Sequence, residues 1–341
     1  MKKRLRLFFI LLLMFLFLYL FFRKVDWDEV LVSLGGVNIR FLVLTILLAP
    51  LHFITRALRW KYLLIHEKRE VKFSTMFSGN VLGFTVSFLF PGRLGELIKP
   101  LYLAHKEKMS KGFAVGTVVV ERVFDLFTMC ALLSVFLLFR PSYDFYLKGK
   151  SDAFPLLYNL GVGAVAFASF LLVVILLLYF LREKSLSFFS LLLRLFPARI
   201  SEKILGLTGE FITGLKFFHS LGNLLVYILF SFVVWVGNCF FYWAFLLAFR
   251  ISPPFVFLFP YTFLTFIGAA IPTPGMVGGF HYFSKLGLTS LFGISSSMAV
   301  GMTVVVHAIQ YVVTCLMGYA ILWKESISLF QLKKIGEELR R

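Results

Sequence analysis

The chain has 341 residues, of which 60% are hydrophobic, with a mean hydropathy of +0.89 and a formal charge of +18. Such a composition excludes an ordinary soluble domain, because too few polar residues remain to cover its surface. The charge alone would suit a nucleic-acid-binding protein. The basic residues, however, lie between hydrophobic segments, as they do on the cytoplasmic loops of membrane proteins. We therefore expect an all-α polytopic membrane protein with no nucleic-acid partner.

Hydrophobic stretches long enough to cross about 30 Å of hydrocarbon as helices occur along the whole chain. The six predicted spans lie at about 7–22, 40–62, 112–139, 156–181, 222–249 and 297–323. The basic N-terminus and first span resemble a signal peptide, but no small-residue cleavage site follows, so we expect an uncleaved helix. The loop charges then predict a protein of the cell membrane with both termini in the cytoplasm.

Two further apolar stretches are interrupted by proline and glycine. The first runs from Phe73 to about Ala104 with a break at 90–92, and the second runs from Phe255 to about Phe292 with a break at 271–275. Proline lacks an amide donor and glycine permits irregular backbone, so each stretch predicts two half-helices joined by a non-helical tip. Flanking charges predict re-entrant hairpins, with the base of the first inside the cell and that of the second outside.

The two broken stretches and the spans that follow them resemble each other. The Pro-Gly pair at 91–92 aligns with that at 274–275, an offset of 183 residues. The Ala-Val-Gly triplet at 114–116 aligns with that at 299–301, an offset of 185. Because the first copy would begin inside and the second outside, the pattern predicts an inverted repeat, as in many alternating-access transporters.

We expect one integral membrane domain over residues 1–341. It contains the first repeat at about 73–139 and the second at about 255–323. Between them, a basic amphipathic segment at about 185–219 is typical of helices that lie along the cytoplasmic face.

Charged residues inside the hydrophobic stretches are the first candidate substrate site. They are Arg93, Glu96, Glu121, Arg122 and Asp125. Each charge at mid-bilayer costs about 2.5–3.5 kcal/mol on insertion scales, so these groups must pair or line a wet cavity. Their spacings of three and four residues permit pairing along a helix. A structural ion-pair network and a headgroup or ion site both fit this pattern and stay open as alternatives.

The second copy carries neutral groups at the matching positions. Met276 stands where the first copy has Arg93, and His307 stands where it has Glu121. The tip of the second hairpin is the other candidate substrate contact, because its backbone amides could face an anion. Its candidate residues, with the histidine of the next span, are Pro272, Thr273, Pro274, Gly275, Gly278, Gly279 and His307. A tight packing turn beside a structural histidine is the alternative.

A basic and aromatic cluster near the end of the second span comprises Arg56, Arg59, Trp60 and Lys61. It is typical of an interfacial anchor, with cations that reach the headgroups and an amphipathic indole. A contact with lipid phosphate is the alternative. The chain contains no nucleotide-binding or zinc-binding motif, and its three cysteines lack paired spacing, so we expect no cofactor and no metal.

Three motifs occur in order along the chain. They are Pro91-Gly92-Arg93-Leu94-Gly95-Glu96, Glu121-Arg122-Val123-Phe124-Asp125 and Pro272-Thr273-Pro274-Gly275-Met276-Val277-Gly278-Gly279-Phe280. Together they resemble the lysylphosphatidylglycerol synthase transmembrane (flippase-like) family over roughly residues 5–325. The chain departs from that pattern at Met276 and Val277, where glycine and leucine are common, and at His281, where an acidic residue is common. The resemblance implies a flippase-like lipid transporter, and no aminoacyltransferase domain is recognised, so we do not expect an enzyme.

The expected function is translocation of a membrane lipid, with an anionic or phosphate-bearing headgroup, between leaflets. One alternative is an integral-membrane enzyme acting on a lipid-linked substrate, with Glu121 or Asp125 as acid or base. Another is a non-transporting scaffold for a cell-envelope synthase. The inverted repeat favours transport. A second copy of this chain, or a lipid-modifying enzyme, stays open as a protein partner.

Overall fold

The computed structural model describes residues 2–23, 25–65, 67–68, 70–91, 93–139, 153–181, 209 and 220–326. Within these ranges the regular structure is helical and contains no strand. The long helices are α1 (Lys2–Phe22), α3 (Ile39–Leu64), α6 (Lys111–Phe139), α7 (Ala153–Phe180), α8 (Leu221–Ala248) and α11 (Ser296–Lys324). A short helix, α2 (Trp27–Gly35), lies between the first two.

The long helices coincide with the predicted spans. Five of them, all except α1, are long and apolar enough to cross a membrane. In α1 the apolar stretch Leu11–Phe22 is shorter. The prediction of an all-α polytopic membrane protein is thereby confirmed. The predicted amphipathic segment at 185–219 lies outside the described residues, apart from Gly209.

Each broken stretch forms a helical hairpin. Helices α4 (Phe73–Leu89) and α5 (Gly95–Glu107) make the first. The second consists of the 3₁₀ turn Phe255–Phe257, α9 (Leu258–Ala270), the 3₁₀ turn Pro274–Met276 and α10 (Gly279–Phe292).

A pair of glycines lets the two arms of each hairpin pack closely. A Cβ atom on Gly95 would overlap the carbonyl oxygen of Gly83 in the first hairpin. A Cβ on Gly279 would lie 2.5 Å from the carbonyl oxygen of Gly268 in the second, which is also too close. The two hairpins therefore share one packing device at matching positions.

The two halves of the protein match element by element. Helix α3 corresponds to α8, α4 to α9, α5 to α10 and α6 to α11, and the starting residues of these pairs differ by 182, 185, 184 and 185. The repeat therefore begins one long helix earlier in each half than the sequence alignment indicated. Helices α3 and α8, whose sequences show no obvious similarity, pack against each other.

The hairpins enter the bundle from opposite sides. The base of the first is closed by Lys68 Nζ and Glu107 Oε2, 2.6 Å apart, and it lies at the C-terminal end of α11, where Lys106 pairs with Glu325 at 2.8 Å. The base of the second lies at the N-terminal end of α11, to which Gly293 connects it. Because α11 has 29 residues, about 43 Å separates the two ends. The inverted arrangement is thus present in the fold.

The tips of the two hairpins meet near the middle of the bundle. A Cβ on Gly275 would lie 3.2 Å from the carbonyl oxygen of Phe88, at the end of α4. The Nε2–H group of His307 donates to the carbonyl oxygen of Gly275 at 3.0 Å. His307 is the twelfth residue of the 29 in α11, so both tips lie close to half the depth of that helix.

Candidate functional site

Two fully buried carboxylates on α6 form the centre of the candidate site. Glu121 accepts from Arg56 Nη1 at 2.8 Å and from Lys99 Nζ at 2.5 Å, and it also pairs with Arg59 and Arg122 at 3.0 and 2.5 Å. A carboxylate without such partners would be strongly disfavoured in a low-dielectric interior. Cations from three helices therefore converge on this one side chain.

Asp125 lies one helical turn further along the same face of α6. It pairs with Arg59 Nη1 at 2.6 Å, with Arg122 Nη2 at 3.2 Å and, more distantly, with Arg56 at 3.7 Å. The indole Nε1–H of Trp235, on α8, donates to Asp125 Oδ1 at 2.8 Å. Asp125 thus joins α3, α6 and α8 through groups that would each be costly to bury alone.

The interpretation of the α3 cluster as an interfacial anchor is wrong for three of its four residues. Arg56 is only 2% exposed and Arg59 and Trp60 are fully buried. The arginines, at i and i+3 on α3, face the carboxylates of α6, and Trp60 Nε1 donates to Thr117 Oγ1 at 2.9 Å. Only Lys61 is exposed. Glu121 and Asp125 lie inside a hydrophobic stretch and need cations as partners. That requirement was the signal that could have identified these arginines.

Lys99 is another residue of the network that the sequence reasoning missed. It lies in α5, is 3% exposed and forms its ion pair with Glu121 across the interface between α5 and α6. Its ammonium group also lies 4.4 Å from the ring centroid of Trp60, within the range of a cation–π contact. A lysine inside the otherwise uncharged stretch 97–104 was the available signal.

The remaining charges form the outer part of the network. Arg122 is 28% exposed and lies 3.7 Å from Glu96 Oε1, and Arg93 lies 3.9 Å from the same oxygen. Arg93 Nε and Arg122 Nε are buried without a hydrogen-bond partner. The structure therefore brings all five predicted charges together, and Arg93, which lies 3.9 Å from its carboxylate partner Glu96, is the most loosely held of them.

Positive charge exceeds negative charge in this network. Counted over the described residues, it contains five cations, Arg56, Arg59, Arg93, Lys99 and Arg122, and three carboxylates, Glu96, Glu121 and Asp125. His52 adds no charge at Nε2, because that nitrogen accepts from Arg56 Nε at 2.7 Å. The network thus carries an excess of two positive charges.

A cavity of about 130 Å³, measured as the space open to the centre of a water molecule, lies between the hairpins. This is roughly ten times the least that holds one water. The charged and polar residues in its described lining are His52, Arg56, Arg93, Arg122, Asn238, Tyr242, Thr265, His307, Gln310 and Thr314. No carboxylate is among them, and Glu121 and Asp125 are fully buried against the cations.

The predicted tip residues of the second hairpin are mostly packed rather than open to the cavity. Gly275 contacts α4, Gly278 contacts α1 and Gly279 contacts α9, each too closely to admit a side chain without movement. Thr273 is buried and Pro272 is exposed. Of the residues predicted in this half, only His307 is among those that line the cavity.

Comparison with known proteins gives one family and one relative. The profile of the family described as "Lysylphosphatidylglycerol synthase TM region" matches residues 5–318. A UPF0104 membrane protein of Methanocaldococcus jannaschii is 28% identical over 103 residues, which are 30% of this chain and 31% of the relative. The match thus spans about a third of that relative's length. No solved structure matches the chain.

Proposed function

The chain belongs to the lysylphosphatidylglycerol synthase transmembrane-region family, and on that premise we propose that it moves a lipid with an anionic or phosphate-bearing headgroup between leaflets. The family makes it a lipid-related, multi-pass membrane protein. The leaflet-to-leaflet movement and the headgroup charge are our inferences, and so is its residence in the cell membrane with both termini in the cytoplasm.

The composition of the cavity wall is the observation that carries the proposal. Arg56, Arg93 and Arg122 line the cavity, and no carboxylate is found in its described lining. A guanidinium group stays charged when buried, and its planar fork matches the oxygens of a phosphate. The positive excess of the network supports an anionic ligand, because a bound anion would offset it.

The arrangement of the hairpins supports transport. They enter from opposite sides and meet tip to tip beside the cavity, where Gly275 contacts the end of α4. Inverted repeats with broken helices at the midplane are the layout from which many alternating-access transporters are built. Movement of one tip relative to the other would expose the same guanidinium groups first to one leaflet and then to the other.

The enzyme alternative receives less support. Glu121 and Asp125 are fully buried, each is held by more than one cation, and neither lines the cavity. A general acid or base needs to reach the atom whose proton it transfers. The two carboxylates are therefore better suited to holding the arginines in place than to reacting with a bound lipid.

Transport of a fluorescent phosphatidylglycerol in reconstituted vesicles tests the proposal. A membrane-impermeant reductant that quenches only the outer leaflet reports the movement of the lipid. We expect Arg93→Ala and Arg122→Ala to slow transport by roughly tenfold to a hundredfold, since a hydrogen bond to a charged group contributes about 1.5–3 kcal/mol.

The matched control is Lys106→Ala, which removes a cation at the base of the first hairpin, where Lys106 pairs with Glu325. We expect it to transport like the wild-type protein. If both arginine variants keep the wild-type rate, the guanidinium groups do not bind the headgroup and the proposal is wrong. Conversion of the lipid into a new product would instead support an enzyme.

A further inference from the structure

We infer that the site takes a lipid whose phosphate carries an uncharged, hydroxyl-bearing headgroup, such as a glycerol or a sugar, rather than a headgroup that ends in an ammonium group. This inference rests on the proposed function for its phosphate-binding half. It adds a second half of the same cavity, contributed by the second repeat, which selects what lies beyond the phosphate.

The cavity is built from pairs of residues at corresponding positions of the two repeats. Arg56 corresponds to Asn238 at the offset of 182 residues between α3 and α8. At the offset of 185 residues between α6 and α11, His307 corresponds to Arg122, one residue on from Glu121, with which the sequence alignment had paired it. Arg56, Asn238, Arg122 and His307 all line the cavity. At each of these two pairs of positions, the cavity lining therefore has a guanidinium group from the first repeat and an uncharged group from the second.

The third pair lies at the tips of the hairpins. Arg93 corresponds to Met276, and both residues line the cavity. Both also adopt left-handed backbone, with φ of 53° and 59°, which is uncommon for residues other than glycine. The shared conformation supports the correspondence independently of the alignment. The tips thus present a cation from the first repeat and a neutral thioether from the second.

The part of the lining that comes from the second repeat is nevertheless rich in hydrogen-bonding groups. The buried hydroxyl of Tyr242 lies 3.5 Å from Gln310 Nε2, and Asn238 and Thr265 line the same cavity. The Gln310 contact is at the upper limit of a hydrogen bond and is therefore easily exchanged for a ligand. Amides and hydroxyls donate and accept, so this cluster complements the hydroxyl groups of an uncharged headgroup.

The charges of the lining disfavour a cationic headgroup. The described lining contains three guanidinium groups and no carboxylate. An ammonium group bound here would lose its hydration without gaining a counter-charge and would be repelled by the arginines. An uncharged polyol meets neither penalty, and its hydroxyls find partners in the amides.

Binding of short-chain lipids to the detergent-purified protein tests the inference. Phosphatidylglycerol is compared with phosphatidylpropanol, which has the same single negative charge but lacks the two hydroxyl groups. We expect phosphatidylglycerol to bind about tenfold more tightly, the combined effect of one or two neutral hydrogen bonds. The double variant Asn238→Leu/Gln310→Leu should lose this difference.

Phosphatidylpropanol is also the folding control, because its affinity for the double variant should stay within about twofold of the wild-type value. Equal binding of the two lipids by the wild-type protein, or binding of neither, would overturn the inference. Tighter binding of lysyl-phosphatidylglycerol than of phosphatidylglycerol would overturn it as well.

The vesicle assay separates this result from the proposed function. A headgroup preference in binding without any transport contradicts only the transport proposal. Transport that is equally fast for phosphatidylglycerol and phosphatidylpropanol, with equal affinities, contradicts only the headgroup inference.

Discussion

At the scale of single residues, the buried network joins groups that could not be buried separately. Arg59 is fully buried and contacts both carboxylates, at 3.0 Å for Glu121 and 2.6 Å for Asp125. Asp125 pairs with both Arg59 and Arg122. A variant without Asp125 would therefore leave both arginines with less counter-charge. We therefore assign structural roles to the inner residues, and the proposed headgroup contacts to Arg93 and Arg122.

We expect Arg59→Ala to lower the free energy of unfolding by about 3–5 kcal/mol, because breaking a buried pair leaves an uncompensated charge. Thermal unfolding of the purified protein in detergent measures the loss. Lys61→Ala is the matched control, since Lys61 is an exposed cation on the same helix. Equal stability of the two variants would show that the inner network does not hold α3 against α6.

At the scale of elements, each hairpin depends on close contact between its two arms. The glycine pairs Gly83 with Gly95 and Gly268 with Gly279 bring backbone against backbone, which no larger residue permits without a shift of the arms. The arms in turn position the tips, where Arg93 enters the cavity. The geometry of the site therefore depends on residues that never touch it.

We expect Gly95→Ala to destabilise the protein by about 1–3 kcal/mol, because its methyl group would overlap the Gly83 carbonyl and force the arms apart. Gly163→Ala in α7 is the control. Among the described residues, no atom outside its own helix backbone lies within 4 Å of the place that a methyl group would take, and alanine favours a helix, so the stability of this variant should be unchanged or slightly raised. Thermal unfolding of both variants decides, and a neutral Gly95→Ala would contradict the close packing.

At the scale of the whole molecule, the two halves are inverted copies around one cavity. The base of the first hairpin lies at one end of α11 and the base of the second at the other. The match of the family profile over residues 5–318 confirms the resemblance recognised from the motifs. The halves differ in charge, however, because the cations that line the cavity come from the first half.

We expect single cysteines at Glu70 and Lys108 to react with a membrane-impermeant reagent from one side of the membrane, and those at Ser252 and Ser295 from the other. All four positions are exposed and flank the hairpin bases. The loop charges predict the first pair to be cytoplasmic. The wild-type chain is the control, since Cys130, Cys239 and Cys315 are buried. Labelling of Glu70→Cys and Lys108→Cys from opposite sides would contradict the re-entrant hairpin.

The sequence by itself determined the membrane class, the long helices and the two broken hairpins. These follow from hydrophobic length and from the backbone chemistry of proline and glycine, which act locally. The glycine pairs and the left-handed residues at the tips lie at offsets that the sequence repeat already indicated.

Only the tertiary structure decided which cations the buried carboxylates meet. Arg56 and Glu121 are 65 residues apart, and Lys99 reaches the same carboxylate from a different helix. Such pairing depends on how α3 and α5 pack against α6, which no local pattern encodes. The difference in charge between the two contributions to the cavity likewise depends on the tertiary structure, because both repeats line one cavity and only the first supplies guanidinium groups to its described lining.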